Sequence, residues 1–319
     1  MENKKQLLVT ASPHLRSSNT VRRDMLDVII ALIPAGIVGI YQFGYRAAIL
    51  IAVSILACVL SELIFEKITK RKVTIGDLSA VVTGILLAYN VPFTLPVWQM
   101  AIGGVFAIVI AKMFFGGLGQ NIVNPALAAR AFLMASWSES MTSFIPPARK
   151  GALATVGDVS MLTGATPLSD PNSFSLMDLF LGNIPGVIGE VSALAILIGA
   201  CYLLVRKVIH IRIPLTYILT TVIFLAIFNK GVASLPKDIL SGGLLLGAFF
   251  MATDYTTTPI TIKGQYIFAI GAGLLTAVIR AFGGYPEGVS YSILLMNLVV
   301  PIIENYTRPK TFGKAKKEK

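Results

Sequence analysis

Charged residues are scarce in this chain of 319 residues: only 13% are Asp, Glu, Lys or Arg, whereas 55% are hydrophobic. An ordinary soluble domain carries roughly 25% charged residues, so the composition argues against a soluble globule. The few charges lie between apolar blocks of about 15 to 22 residues, which is the length that the hydrocarbon core of a bilayer selects for a helix. The composition therefore predicts an all-α, polytopic membrane protein embedded in the lipid bilayer.

Cysteine and histidine are equally scarce, with two of each. Cys58 and Cys201 each lie within an apolar block, so we expect two small buried hydrophobic residues rather than a disulfide or a thiolate metal site. His14 has no cysteine or second histidine nearby, and no metal site is predicted. Glycine-rich dinucleotide and P-loop motifs are also absent. The net charge of +11 could indicate nucleic acid, but its location between apolar blocks predicts no nucleic-acid partner.

The apolar blocks and the polar residues that separate them predict ten membrane spans. These spans run approximately over 25–44, 46–66, 77–92, 97–114, 122–136, 187–205, 213–228, 239–253, 264–282 and 288–304. The third, fifth and eighth are short for a full crossing, so we expect broken or tilted helices there.

Lys and Arg fall mainly on one side of these spans. Of 27 such residues, 20 lie on the side of the N-terminus, with Lys112 among them near a span end, and six on the other, with Arg280 among them. Arg130 alone lies deep within a span. Because cytoplasmic loops are enriched in Lys and Arg, both termini are predicted to be cytoplasmic. Residues 137–186 then form a long external loop between two five-helix halves.

This topology divides the chain into a cytoplasmic N-terminal segment, a first membrane half, the external loop, a second membrane half and a basic cytoplasmic tail. Their ranges are 1–24, 25–136, 137–186, 187–304 and 305–319. Five spans per half require the second half to enter from the opposite side, as in an inverted repeat. Phe115-Gly116-Gly117 and Phe282-Gly283-Gly284 are similar segments at matching places, although chance similarity between apolar helices is the alternative.

The most distinctive motif lies in the external loop. It reads Thr163-Gly164-Ala165-Thr166-Pro167-Leu168 and resembles the flavin attachment sequence of the family that contains RnfD of the Rnf complex and NqrB of the sodium-pumping NADH:quinone reductase. Alone, a Thr-Gly-Ala-Thr string could be an ordinary turn. Further motifs in the family's order strengthen the resemblance, namely Ser12-Pro13-His14, Phe115 to Asn121 with Asn124-Pro125-Ala126, Phe250 to Asp254, and Gly283 to Gly288.

The resemblance implies a membrane flavoprotein. In this family FMN is attached through its phosphate, as a phosphoester, to the second threonine of the motif, which here is Thr166. It implies a separate flavin transferase for maturation, a second, non-covalent flavin (riboflavin or FMN), and other membrane and iron–sulfur or flavin subunits as partners. It also implies the cell membrane of a bacterium or archaeon as the location. Because the glycine-rich nucleotide motifs are absent, NADH is expected to be handled by another subunit.

Several polar residues near the spans are further candidates. Arg130 needs a partner, because an unpaired charge inside a span costs several kcal/mol; an ion pair, a flavin contact and a charge pathway all remain open. Asn121 and Asn124 are candidate cofactor-binding residues. Asp254 and Glu287, at span ends, are either solvated carboxylates or ligands on an ion pathway.

Two functions follow from these patterns. The first is a redox subunit of an ion-translocating complex (Na⁺ or H⁺) that couples ferredoxin and NAD chemistry to an ion gradient, with the flavin rather than a protein side chain carrying the electrons. In that case no side chain of this chain is assigned as catalytic. The second is a channel or secondary transporter of the inverted-repeat type without a redox role, which the helix pattern alone would permit.

Overall fold

The computed structural model describes residues 20–145, 166–168, 174–228, 235–283 and 287–309. Across these residues the regular structure is helical, with no strand, which agrees with the all-α class. In chain order the helices are α1 (Val21–Phe43), α2 (Tyr45–Ile68), α3 (Ser79–Tyr89), α4 (Val97–Val105), α5 (Pro125–Ser136), α6 (Ser138–Thr142), α7 (Leu176–Leu181), α8 (Ala193–Val205), α9 (Arg212–Ile227), α10 (Leu235–Leu240), α11 (Leu244–Leu246), α12 (Ile262–Phe282) and α13 (Val289–Thr307).

Five of the described helices are long and apolar enough to cross a bilayer. They are α1, α2, α12, α13 and the helix that continues α4 through a π-helical turn to Phe115. The sixth and seventh predicted spans, which were not expected to be short, contain the shorter apolar helices α8, with 13 residues, and α9, with 16. The third and fifth contain α3, with 11 residues, and α5, with 12. At 1.5 Å per residue these two extend only about 17 Å, roughly half of a hydrocarbon core. The predicted short third and fifth spans are therefore half-length helices.

The eighth predicted span is broken. The helix α10 ends at Leu240, and α11 begins only after Gly242 and Gly243, both of which have φ of +62°. Residues with a Cβ rarely adopt this left-handed conformation, so consecutive glycines permit the break. A π-helical turn, Gly247–Met251, then completes the segment.

Most buried apolar residues of the described helices form one large cluster, and a second, small cluster contains Cys58, Ala80, Ile108 and Met113. The helix α2 packs on α3 and α4, α12 packs on α9 and α13, and α1 packs on α8. The last pair is unusually close, because a Cβ on Gly199 of α8 would lie 2.0 Å from the carbonyl oxygen of Ala31. Small residues at such crossings let apolar helices make dense van der Waals contact inside a membrane.

Helix ends agree with local sequence signals. Thr20, Asn124 and Thr261 cap α1, α5 and α12 through their side-chain oxygens, and Pro125 follows the Asn124 cap at the first helical position. In the predicted external loop, the described parts contain α6 and α7 at its two ends.

The two cysteines differ in environment. Cys58 is buried in α2, whereas Cys201 is exposed on α8. The expectation of two buried cysteines is therefore wrong for Cys201. An apolar block in a membrane protein can place a small residue on the outward face of its helix, which the sequence pattern of a uniformly apolar helix does not reveal.

Candidate functional site

The end of the Thr-Gly-Ala-Thr motif packs against the broken helix. Thr163, Gly164 and Ala165 lie outside the described residues; Thr166 and Leu168 are half-buried and Pro167 is buried. The Leu168 side chain lies against the bare backbone of Gly242, where an added Cβ would be only 2.1 Å from Leu168 Cδ1. The proposed attachment residue is thus two positions from a close contact with the second membrane half.

Arg280 of α12 holds the same break in place. Arg280 is 3% exposed, and its guanidinium donates hydrogen bonds to the carbonyl oxygens of Asp238 at 2.6 Å and Gly242 at 2.8 Å. It also lies 3.3 Å from the carbonyl oxygen of Ser241 and 3.4 Å from that of Glu287. These contacts satisfy carbonyl groups that the interrupted helix leaves without intrahelical partners.

Arg130 is the centre of a buried charge cluster. It forms an ion pair with Glu287 and a hydrogen bond with Ser290, and its Nη1 donates to Asn90 Oδ1 at 3.2 Å. Glu190 lies 3.9 Å from the same Nη1. All four partners come from other parts of the chain, from the end of α3 to the start of α13, so Arg130 ties the two halves together.

This cluster lies beside the break that Leu168 contacts. A Cβ on Gly243 would be 2.4 Å from Glu190 Oε1. Gly242 and Gly243 therefore separate two neighbouring environments, the motif segment on one side and the Arg130 cluster on the other.

A cavity of about 100 Å³ lies at the N-terminal end of α3, whereas the Arg130 cluster lies at its C-terminal end. The polar lining of the cavity is Asp24, Ser79, Thr83, Lys112, Asn121, Asn124, Thr253, Asp254, Tyr255 and Thr256, and its apolar lining includes Val82, Leu86, Phe249 and Phe250. The helix α3 connects the two sites, because Ser79 lines the cavity at its start and Asn90 contacts Arg130 at its end.

The wall of this cavity contains Asp254 and the two candidate cofactor-binding residues Asn121 and Asn124. Asn124 caps α5 by accepting hydrogen bonds from the backbone N–H groups of Ala126 and Leu127, and Asn121 donates to the carbonyl of Val123. Sequence reasoning grouped Asp254 with Glu287, but the structure places them at different sites, the cavity and the Arg130 cluster.

Asp254 is surrounded by hydroxyl groups. Its Oδ2 accepts hydrogen bonds from the Thr256 hydroxyl at 3.1 Å and the Thr257 hydroxyl at 3.2 Å. Burial raises the pKa of the Asp254 carboxyl, and the hydrogen bonds from Thr256 and Thr257 oppose that rise. The residue lies in the non-helical segment before α12.

A second buried ion pair borders the cavity. Lys112 Nζ lies 2.8 Å from Glu62 Oε1 and 2.6 Å from Ser79 Oγ, and both charged residues are at most 2% exposed. Sequence reasoning treated Lys112 and Arg280 as topology signals near span ends. The structure corrects this: both cations are buried, because carbonyl and carboxylate groups from distant helices surround them.

Among the described residues, no group of three or more His, Cys, Asp or Glu side chains could hold a metal ion. Glu190, Arg280, Glu62 and Asn90 were not identified from the sequence. Their residue types are ordinary near helix ends, and only the tertiary packing brings them to buried sites.

Comparison with known proteins extends these observations. A family model described as the NQR2, RnfD, RnfE family matches residues 8–313. The chain is 48% identical to the D subunit of the Na(+)-translocating ferredoxin:NAD(+) oxidoreductase complex of Acetobacterium woodii, with 99% of each chain covered. It is 42% identical to the D subunit of the proton-translocating ferredoxin:NAD(+) oxidoreductase complex of Clostridium ljungdahlii, with 96% of each covered.

More distant relatives match over nearly the same length. The D subunit of the ion-translocating oxidoreductase complex of Escherichia coli is 33% identical, with 97% of this chain and 99% of the relative covered. The resemblance that the motifs indicated is therefore confirmed over the full length, and the chain belongs to the NQR2, RnfD, RnfE family.

Proposed function

We propose that the chain is the membrane flavoprotein subunit of an ion-translocating ferredoxin:NAD oxidoreductase complex and carries FMN on Thr166 through a phosphoester bond. The observation that carries this proposal is Thr166 itself, the last residue of a Thr-Gly-Ala-Thr motif in a member of this family. The contact of Leu168 with Gly242 supports it, since it places the motif beside buried charges. Bound flavin would supply one- and two-electron redox chemistry, while the protein sets its position and its potential.

The first test is in-gel fluorescence of the purified chain after co-expression with a flavin transferase. The wild-type band should fluoresce, and Thr166→Val should abolish the signal because it removes the hydroxyl that forms the ester. Thr163→Ser is the matched control, since it retains a hydroxyl at the first motif position and should remain fluorescent. Mass spectrometry of the Thr166 peptide should show the mass of FMN. A dark wild-type band would instead favour the channel or transporter without a redox role.

The second, non-covalent flavin is proposed to bind with one edge of its ring system in the cavity at the start of α3, since about 100 Å³ is too small for the whole isoalloxazine. An isoalloxazine ring has two apolar faces and a polar edge, and the cavity combines Phe249, Phe250 and Leu86 with Lys112 and Asn121. Two of the three Lys112 protons are directed at Glu62 and Ser79, so one donor is left for a ligand. Such sites are commonly apolar with a few converging polar groups.

We also propose the inverted five-plus-five arrangement. The pairwise packing supports it, since α2 packs on α4 as α9 packs on α12, and α1 contacts α8 as α5 contacts α13. In this arrangement both termini are cytoplasmic and the Thr166 loop is external. Labelling of single engineered cysteines by a membrane-impermeant reagent tests the orientation; a reactive cysteine near Lys319 in intact right-side-out vesicles would contradict it.

The chain is proposed to act with other redox subunits and to contribute to the ion pathway through Asp254 and Glu287. These carboxylates lie near the cavity and at the Arg130 cluster, respectively, with α3 between the two sites. The transported ion is Na⁺ or H⁺. The two relatives above carry names that specify different ions, so ion dependence has to be measured on the assembled complex.

A further inference from the structure

The Leu168 side chain connects the motif segment to the membrane helices through a close contact with Gly242. Gly242 has φ of +62°, and its missing side chain leaves the space that Leu168 Cδ1 fills. A residue with a Cβ at this position would have to displace Leu168, since 2.1 Å is far below van der Waals contact. Gly242 therefore leaves a small depression that the Leu168 side chain fills, and this depression is called the Gly242 seat.

The seat is rigid because Arg280 fixes its backbone. Arg280 binds the carbonyl oxygen of Gly242 itself and that of Asp238 at the end of α10. Its Nη2 is also 3.4 Å from the position of the Gly242 Cβ, on the same side as Leu168. A buried guanidinium with several carbonyl partners holds the break in one geometry, since loss of any of these bonds would leave buried polar groups unsatisfied.

Gly243, the residue after Gly242, contacts the Arg130 cluster. Gly243 lies directly against the Glu190 carboxylate, which is 3.9 Å from Arg130. A group held at the Gly242 seat is consequently held at a fixed place relative to the buried charges.

We propose that Leu168 and Gly242 are positioning residues: Leu168 anchors the segment that carries the flavin, and Gly242 is its seat. This inference rests on the proposed attachment of FMN to Thr166. A phosphoester tether contains several rotatable bonds, so attachment alone leaves the flavin free to move. An anchor two residues from the tether limits that freedom and keeps the flavin at a distance suited to electron transfer, as preorganised sites require.

The test compares four forms of the assembled complex: wild type, Leu168→Ala, Leu168→Met and Leu176→Ala. Leu176 is the matched control, because it is a leucine of the same external region with 47% of its surface exposed. The covalent flavin content is measured in all four forms and each reduction rate is compared per attached flavin, because Leu168 belongs to the attachment motif itself. Leu168→Ala should lower the fluorescence anisotropy of the tethered flavin and slow its reduction at least tenfold, whereas Leu168→Met, with a similar apolar volume, and Leu176→Ala should match the wild type.

Unchanged anisotropy and an unchanged reduction rate in fully flavinylated Leu168→Ala would overturn the proposal. A second measurement does not depend on the flavin. In the Thr166→Val background, hydrogen exchange of the peptide containing Gly242 should become at least tenfold faster when Leu168→Ala is added. Absence of FMN from the wild type would refute its attachment to Thr166, and the exchange measurement would then test the anchoring role of Leu168 by itself. Equal hydrogen exchange with and without Leu168→Ala would refute that anchoring role.

Discussion

Arg130 and Glu287 form an ion pair in the interior of the protein although 157 residues separate them in the sequence. The Arg130 side chain is 4% exposed and that of Glu287 is 11% exposed. Glu190, Ser290 and Asn90 surround the same guanidinium. The pair joins α5 to the entry of α13, so removal of one partner should affect the packing of both halves.

Arg130→Met should destabilise the protein strongly. The substitution removes the guanidinium that pairs with Glu287 and lies 3.9 Å from Glu190, and breaking such a buried pair typically costs about 3–5 kcal/mol. Thermal unfolding in detergent should therefore show a clearly lower Tm. The double variant Arg130→Met with Glu287→Met should recover part of the loss, because it removes the buried carboxylate as well.

Arg206→Met is the matched control for this experiment. Arg206 also forms an ion pair, with Asp27, but its side chain is 38% exposed and Asp27 keeps the Tyr202 hydroxyl as a second partner. Solvent can compensate for much of the lost interaction at such a site. A decrease in Tm as large as that of Arg130→Met would contradict the central role of the buried cluster.

Arg130 could be identified from the sequence because it interrupts an apolar block. Arg280 and Lys112 could not, since Lys and Arg near the ends of spans are typical topology signals. Their burial depends on carbonyl groups and carboxylates that come from elements up to 50 residues away. Local pattern contains no information about such partners.

The membrane spans also separate what the sequence could predict from what only the packed structure shows. Apolar block lengths predicted that the third, fifth and eighth blocks are short, but they did not predict the short helices α8 and α9, which have 13 and 16 residues. They did not place the interruption of the eighth block at Gly242, nor its contact with Leu168. Glycine is common in membrane helices for several reasons, and only the left-handed backbone together with the neighbouring Leu168 distinguishes this one.

Gly199→Ala should destabilise the contact between α1 and α8. The added methyl group would lie 2.0 Å from the carbonyl oxygen of Ala31, so the two helices would have to separate. Overpacking of this kind costs about 1–3 kcal/mol, and a lower Tm is expected. Gly76→Ala is the control, because nothing lies within 4 Å of its Cβ position; an equal decrease in both variants would show that the α1–α8 crossing is not responsible.

Asp254→Asn should slow ion transport by the assembled complex while leaving flavin on Thr166. Burial raises the pKa of this carboxyl, so the group takes up a proton at a higher pH than a solvated aspartate; asparagine removes both the charge and the titration. Transport in proteoliposomes, with covalent flavin content measured in parallel, checks this. Glu304→Gln is a suitable control, since that carboxylate accepts a hydrogen bond from the exposed backbone N–H of Ile260. Wild-type transport by Asp254→Asn would remove this residue from the pathway.

Thr253→Phe should reduce the content of non-covalent flavin selectively. Thr253 lines the cavity at the start of α3, and a benzyl group there would occupy much of the roughly 100 Å³ volume. The flavin released by acid precipitation should fall at least fivefold relative to the wild type, whereas the flavin that remains attached to the chain should not change. Thr69→Phe, at an exposed position after α2, controls for the added bulk. If both variants release as much flavin as the wild type, the non-covalent flavin binds elsewhere.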